Sequence, residues 1–366
     1  HYTMSDFSSW GVPGSLTIKP EITAPGGSIY SINGAASGGQ AYETMSGTSM
    51  AAPQVAGMVA LAAEYIRETG LEARTGLTSR QLIQSLLMST SVPLIEEASG
   101  SYWSLLKQGS GLANISALLS ADSFITMGAD ATDSYADGKV KAELGDDPGR
   151  TGAYRFTFAL HNMEETAQRY VFSSDFFTQD LFTQDGISYL DTATTALGAS
   201  VRYTVDGVTY VPSAARVICD LDGDGDTDAD DAQFILESVV DPSVSVAPEG
   251  DVDGDGAVTT YDAYLILRDL ETGSVLVEAG ESVEVAVEIV LPKAVKAQLD
   301  AAYPSGAYVE GYVFAAPVST DEGTVAATHS IPVLGFYGSW TASSMFEVGD
   351  YYHYQSGEET RMPYLG

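Results

Sequence analysis

The chain has 366 residues, 45% of them hydrophobic and 10% aromatic, enough for two or three globular domains with their own cores. Fifty acidic residues against 16 basic ones leave a net charge of −34. That balance argues against nucleic acid as a partner, since phosphates need Lys and Arg to neutralise them, and it suits a secreted protein. The single cysteine, Cys219, cannot form an internal disulfide, and no uncharged apolar run approaches the ~20 residues that span a membrane.

The first strong element is a helix that begins at a serine. Gly47-Thr48-Ser49-Met50-Ala51-Ala52-Pro53 leads a small-residue turn into an Ala/Gly-rich segment running to about Thr69, with Gly70 as its stop. A helix N-terminus leaves backbone N–H groups unpaired, so an oxyanion forming beside Ser49 would meet donors there. Gly47 permits the tight turn, while Ala51, Ala52, Ala56 and Gly57 permit close burial. Ser49 is therefore a candidate nucleophile. Thr78 and Gln81 read as a capping box opening a second helix, with Leu82, Ile83, Leu86 and Leu87 on one face. A third helix is expected after Gly111, with Leu112, Ile115, Leu118 and Leu119 inward.

The stretch Ser46–Gly57 closely resembles the nucleophile motif of subtilisin-like serine proteases. Phe7–Gly11 and Lys19–Gly27 resemble segments that precede it in that family, and Leu86–Thr90 and Gln108–Leu112 resemble the closing helices. The likeness covers roughly residues 1–120 in one collinear order. It implies the C-terminal part of an α/β catalytic domain whose parallel sheet lies mostly upstream, with Ser49 as nucleophile and proteins or peptides as substrate. Gln54 stands where the family often has His, outside the triad.

The family triad runs Asp, His, Ser along the chain. Only His1 and Asp6 represent the first two residue types ahead of Ser49, and neither sits in a Gly-rich setting like the family's. The oxyanion Asn of the family is also expected upstream of His1. His161, His329 and His353 follow the serine in strand-like or loop-like segments and read as structural or surface residues. The expectation is a piece of a larger protease, partnered by a missing N-terminal half. Alone it should not hydrolyse peptides efficiently, because nothing can deprotonate Ser49.

From about Ala121 the apolar period shortens to two. Tyr154, Phe156, Phe158 and Leu160 alternate with other residues, as do Val283, Val285, Val287 and Ile289, and Tyr308, Tyr312 and Phe314 lie in strand-like sequence. This predicts an antiparallel β-sandwich. The strings Phe158–Asn162, Tyr303–Tyr312 and Ile331–Trp340 resemble the fibronectin-III-like domain that follows the protease domain in cell-envelope proteinases, lactocepins and streptococcal complement-cleaving peptidases among them. An unrelated sandwich is the competing reading. The resemblance implies a supporting role and a bacterial extracellular or cell-wall location.

Two acidic twelve-residue runs interrupt the sandwich. In the first, Asp220, Asp222 and Asp224 offer oxygens at positions 1, 3 and 5, Asp226 offers its carbonyl at 7, Asp228 stands at 9 and Asp231 closes at 12. In the second the same places hold Asp251, Asp253, Asp255, Ala257, Thr259 and Asp262, and Gly225 and Gly256 mark the sharp turns. The pattern fits the loop that wraps a calcium ion with 6–8 oxygens, so two calcium ions are expected. Each loop enters an apolar helix. This doubled loop and helix resembles a type I dockerin, which implies a cohesin module as partner. The recognition surface then maps to Ala229, Asp230, Leu236 and Glu237, and to Thr260, Tyr261, Leu267 and Arg268. A calcium-stapled insert with no cohesin partner is the competing reading.

The expected fold class is thus multidomain. It combines a partial α/β subtilisin-like domain (1–120), an antiparallel fibronectin-III-like β-sandwich (121–217 and 273–340) and a small α-helical dockerin-like calcium-loop insert (218–272). Residues 341–366 begin a further segment. The insert fills a loop between strands and should be removable without unfolding the sandwich. Two functions compete: a secreted serine endopeptidase with Ser49 as nucleophile, or an inactive subtilase scaffold acting as a calcium-dependent cohesin-binding adaptor.

Overall fold

The computed structural model describes residues 2–11, 15–34, 41–97, 99–184, 187–210, 219, 221, 229–241, 243–252, 256–318 and 327–341. The N-terminal region opens with an antiparallel hairpin, β1 (Ile29–Ile32) and β2 (Tyr42–Met45), in which Tyr30 and Tyr42 stack at 5.6 Å. Helix α1 (Thr48–Thr69) follows and ends at Gly70, which takes the left-handed conformation and donates its N–H to the Ile66 carbonyl. After α2 (Leu71–Thr75), helix α3 (Ser79–Ser89) starts on the Thr78–Gln81 capping box. Leu82 and Leu86 of α3 are fully buried, packed with Ala62, Ile66 and Leu71.

The third expected helix is shorter than its sequence period implies. A single turn, α4 (Leu105–Gln108), comes first, and α5 spans only Ile115–Leu119 because Asn114 caps it by accepting from the Ala117 N–H. Leu118 is buried, but Leu119 is 41% exposed. Leu112 is not helical and forms bridges to Thr23 and Val92. Among the described residues this region holds no parallel sheet beyond that single bridge.

Two sheets follow. One has the order β3 (Ser123–Met127), β5 (Ala153–Asn162), β11 (Ser282–Val290), β8 (Ser200–Val205), β9 (Val208–Tyr210), and every neighbouring pair is antiparallel. The other has the order β10 (Val275–Val277), β6 (Gln168–Gln184), β12 (Ala307–Pro317), β13 (His329–Tyr337), β4 (Ala142–Asp147), with β7 (Ile187–Leu197) also on β6. Its β4–β13 pair is parallel, so the expectation of purely antiparallel pairing does not hold there. Helix α8 (Lys293–Ala302) joins β11 to β12.

The strand period explains the packing. Tyr154, Phe156, Phe158 and Leu160 of β5 and Val283, Val285, Val287 and Ile289 of β11 join Phe172, Val309, Val313 and Ile331 in one core shared by the two sheets. The other face of the second sheet is also covered. Tyr308, Tyr312, Leu334 and Phe336 pack against Ile18 and Leu105 of the N-terminal region. A strand buried on both faces loses the alternation of polar and apolar residues, which is why β13 is buried along its whole length.

The two acidic runs are followed by α6 (Ala229–Val240) and α7 (Thr260–Gly273), which build a separate cluster from Cys219, Ala232, Ile235, Ala263 and Ile266. This unit lies between β9 of one sheet and β10 of the other. Its exit is tied to its entry, since the Tyr210 hydroxyl donates to the Gly273 carbonyl.

Candidate active site and acidic loops

Ser49 occupies the second position of α1 and is exposed. The residue before the helix is Gly47, at φ 155° and ψ 162°, and it has no side chain to cap the first amides. The Gly47 carbonyl accepts from the Met50 N–H at 3.0 Å, which closes the first turn tightly. Pro53 lacks the N–H that would reach back to the Ser49 carbonyl. Thus the sequence places a serine hydroxyl beside uncapped, partly positive backbone groups.

No histidine serves this hydroxyl among the described residues. His329 on β13 is fully buried, with Nε2 2.8 Å from Ser123 Oγ and Nδ1 2.9 Å from Ser89 Oγ. His161 on β5 stacks on Phe124 at 4.4 Å and lies 2.8 Å from Thr126 Oγ1. Burial depresses both imidazoles to about 4, so each stays neutral across the ordinary pH range. His1 and His353 lie outside the described residues, and Asp6 is exposed.

The Ser49 turn is held by contacts that the sequence does not show. Gln54 Nε2 donates to the Pro25 carbonyl at 2.6 Å, and the Gly47 N–H donates to the Gly26 carbonyl at 2.8 Å. The Pro-Gly pair at 25–26 is turn chemistry, but nothing in the sequence says what it packs against. A further group lies at the joint with the second sheet. Glu310 on β12 is fully buried and accepts from the Leu105 N–H (2.6 Å), Ser104 Oγ (2.9 Å) and Gln179 Nε2 (2.7 Å). Burial dominates these bonds and lifts its carboxyl to about 7.

The acidic loops are described in part. Asp220, Asp222, Asp224, Asp226, Asp228, Asp253 and Asp255 lie outside the described residues. The closing positions are described and match. Asp231 Oδ1 accepts from the Leu221 N–H at 2.6 Å, and Asp262 Oδ1 accepts from the Val252 N–H at 2.9 Å, each ten residues back. Both carboxylates are buried. Asp251 Oδ2 takes the Gly256 N–H at 2.8 Å, from position 1 to position 6, where Gly256 has φ 93°. Thr259 caps α7, and Asp262 Oδ2 accepts from the Thr259 N–H at 2.7 Å. Ala257 sits between these two anchors in sequence. Among the described residues alone, no three acidic, His or Cys groups converge as a metal site. Of the expected recognition residues, Leu236, Tyr261 and Leu267 are exposed. Among the described residues no helix is long and apolar enough to cross a membrane.

Comparison with known proteins gives a family match for the N-terminal region. Residues 2–140 match the subtilase family. The C5a peptidase of Streptococcus pyogenes is 35% identical over 123 residues, covering 34% of this chain and 10% of that protein. The PII-type proteinase of Lactococcus lactis subsp. cremoris is 33% identical over 125 residues, covering 32% of this chain and 6% of that protein. The chain therefore spans a tenth or less of the length of these relatives. Among solved structures, a family 123 glycoside hydrolase from Clostridium perfringens aligns over 59% of this chain and 27% of its own, at 9% identity and a TM-score of 0.26, too distant to carry an argument.

Proposed function

We propose that this chain carries the nucleophile-bearing part of a subtilisin-like serine endopeptidase, secreted or on the surface of a bacterium, with Ser49 as nucleophile and proteins or peptides as substrate. The observation that carries this reading is an exposed serine at the uncapped N-terminus of a helix, inside a segment that matches the subtilase family. Ser49 Oγ would attack the scissile carbonyl, and amides at the start of α1 would stabilise the oxyanion. The base and its orienting carboxylate come from an N-terminal half outside this chain, so the chain alone is inactive. The two sheets form a fibronectin-III-like sandwich that supports the catalytic region. A fluorophosphonate probe tests the assignment in the full-length protein: it should label Ser49, and Ser49→Ala should abolish both labelling and turnover. Undiminished turnover in Ser49→Ala rules out the nucleophile.

The unit of α6 and α7 acts, in this reading, as a calcium-dependent docking module of dockerin type. Its support is the repeated tie from position 12 back to position 2 in both loops, together with a sequence pattern of oxygen donors suited to a hard cation. Asp220, Asp222, Asp224, Asp226, Asp228 and Asp231 would hold one ion, and Asp251, Asp253, Asp255, Ala257, Thr259 and Asp262 the other. The partner would be a cohesin module. A second reading, an inactive scaffold that only docks, draws support from the engagement of His161 and His329 elsewhere. Isothermal titration of calcium separates a metal-binding module from a plain acidic loop.

A further inference from the structure

The turn that carries Ser49 is held from outside the helix. Among the described residues, one short segment, Pro25–Ser28, makes three holding contacts. The Gly47 N–H donates to the Gly26 carbonyl at 2.8 Å, and the Ser28 N–H donates to Ser46 Oγ at 2.7 Å. Gln54, one helical turn beyond Ser49, reaches back with Nε2 to the Pro25 carbonyl at 2.6 Å. Contacts therefore lie on both sides of Ser49 in sequence, at residues 46, 47 and 54.

The fit at Gly26 is tight. A Cβ there would stand 2.7 Å from the Gly47 carbonyl oxygen and 3.4 Å from the Ala51 Cβ. That same Gly47 carbonyl accepts the Met50 N–H. Any side chain at position 26 would thus push on the atom that closes the first turn of α1. The helix has little of its own to resist with at this point. Gly47 offers no side-chain cap, and Pro53 removes the backbone donor for Ser49.

We propose that Pro25–Ser28 is a strut that sets the position of Ser49, with Gln54 and Gly26 as the positioning residues; this rests on the reading of Ser49 as nucleophile. Gln54 acts by donating an N–H that a carboxylate of the same size cannot supply. Gly26 acts by lacking a Cβ. Displacing a reacting atom by about 1 Å can cost on the order of 100-fold in rate, while substrate binding elsewhere is untouched.

The test uses the full-length protein with Gln54→Glu, Gly26→Ala and Ser49→Ala. Gln54→Glu and Gly26→Ala should each lower kcat by about 10-fold or more, with KM within about twofold and a small change in Tm. A role in stability alone would move Tm and leave kcat per folded molecule intact. If Ser49→Ala abolishes turnover while both other variants keep kcat within twofold, the strut is overturned and the nucleophile stands. If Ser49→Ala retains turnover, the nucleophile reading falls first. The strut is then judged on the present chain by hydrogen exchange. The Gly47 amide should exchange faster in Gln54→Glu and Gly26→Ala than in the parent, and unchanged exchange overturns it.

Discussion

Glu310 couples the stability of this protein to pH in a direction opposite to most carboxylates. Its side chain is fully buried at the joint between α4 and β12, and burial lifts its carboxyl from 4.5 to about 7. Between those two values the folded state holds a proton that the unfolded state has released. Stability therefore falls as pH rises through that window, and the loss is complete above about pH 7. The shift corresponds to about 3 kcal/mol, at 1.36 kcal/mol per pH unit. Glu310→Gln removes the titration. The new carboxamide can still accept from the Leu105 N–H and Ser104 Oγ, and a flip of the Gln179 amide would let it receive the new N–H. One imperfect hydrogen bond costs about 1 kcal/mol. The variant should therefore be close to the parent at pH 5 and about 2 kcal/mol more stable at pH 8. Urea unfolding followed by tryptophan fluorescence reads this directly, since Trp103 is buried next to Ser104. His161 and His329 titrate the other way: their depressed values mean that the stability they contribute is lost as pH falls from 6.5 toward about 4. They are common to both proteins and cancel in the difference. A parent–variant difference that stays flat from pH 5 to 8 would refute the reasoning.

Replacing residues 218–272 with a short Gly/Ser linker should leave the two-sheet core folded, with Tm lowered by a few degrees at most. Its separate cluster and the Tyr210–Gly273 tie motivate this, and loss of the cooperative transition on excision would sink it. Calcium should raise the melting temperature of the α6–α7 unit, each bound ion adding about 2.7 kcal/mol of stability at 100 times its dissociation constant, and a chelator should reverse it. Asp262→Ala removes both a proposed ligand and the acceptor of the Val252 and Thr259 N–H groups, so it should abolish the calcium response of that loop. Melts that are identical with calcium and with chelator would remove the metal from the argument.

Local signals in this sequence carried far, and tertiary ones did not. The capping box at Thr78, the stop at Gly70 and the period-2 runs of β5 and β11 are decided by neighbours in sequence, and each is where the pattern put it. The strand run at Tyr308–Phe314 was legible, but not its second partner. Tyr308 and Tyr312 face the N-terminal region while Val309 and Val313 face the other sheet. Period alone cannot say that both faces are covered. The helix after Gly111 was overread because Leu112 fits a helical stripe, yet its backbone is taken by Thr23 and Val92. At the candidate site, the turn that leads into α1 beside Ser49 was legible from its chemistry. Gln54 was not, because its role lies in a contact with Pro25, 29 residues away in the chain.

Helix α1 itself makes a demand that the described residues do not meet. Its 22 residues are apolar along most of their length, yet only Ala62 and Ile66 are buried. A helix apolar all round belongs inside a larger body. Leu61 is the clearest case, at 50% exposure on α1. Covering a leucine fully is worth about 1.5–3 kcal/mol, so the half still open is worth about 1 kcal/mol to whatever packs there. The proposed N-terminal half of the catalytic domain is the natural cover. Leu61→Lys separates the two situations. In the present chain it should leave the Tm nearly unchanged and reduce binding of a hydrophobic dye, because the residue is half in water already. In the full-length protein it should lower the Tm and the yield of active enzyme, because a lysine would then be forced into a covered apolar face. Equal tolerance of Leu61→Lys in both contexts would mean that this face of α1 stays open to solvent, and that the catalytic half of the molecule docks elsewhere.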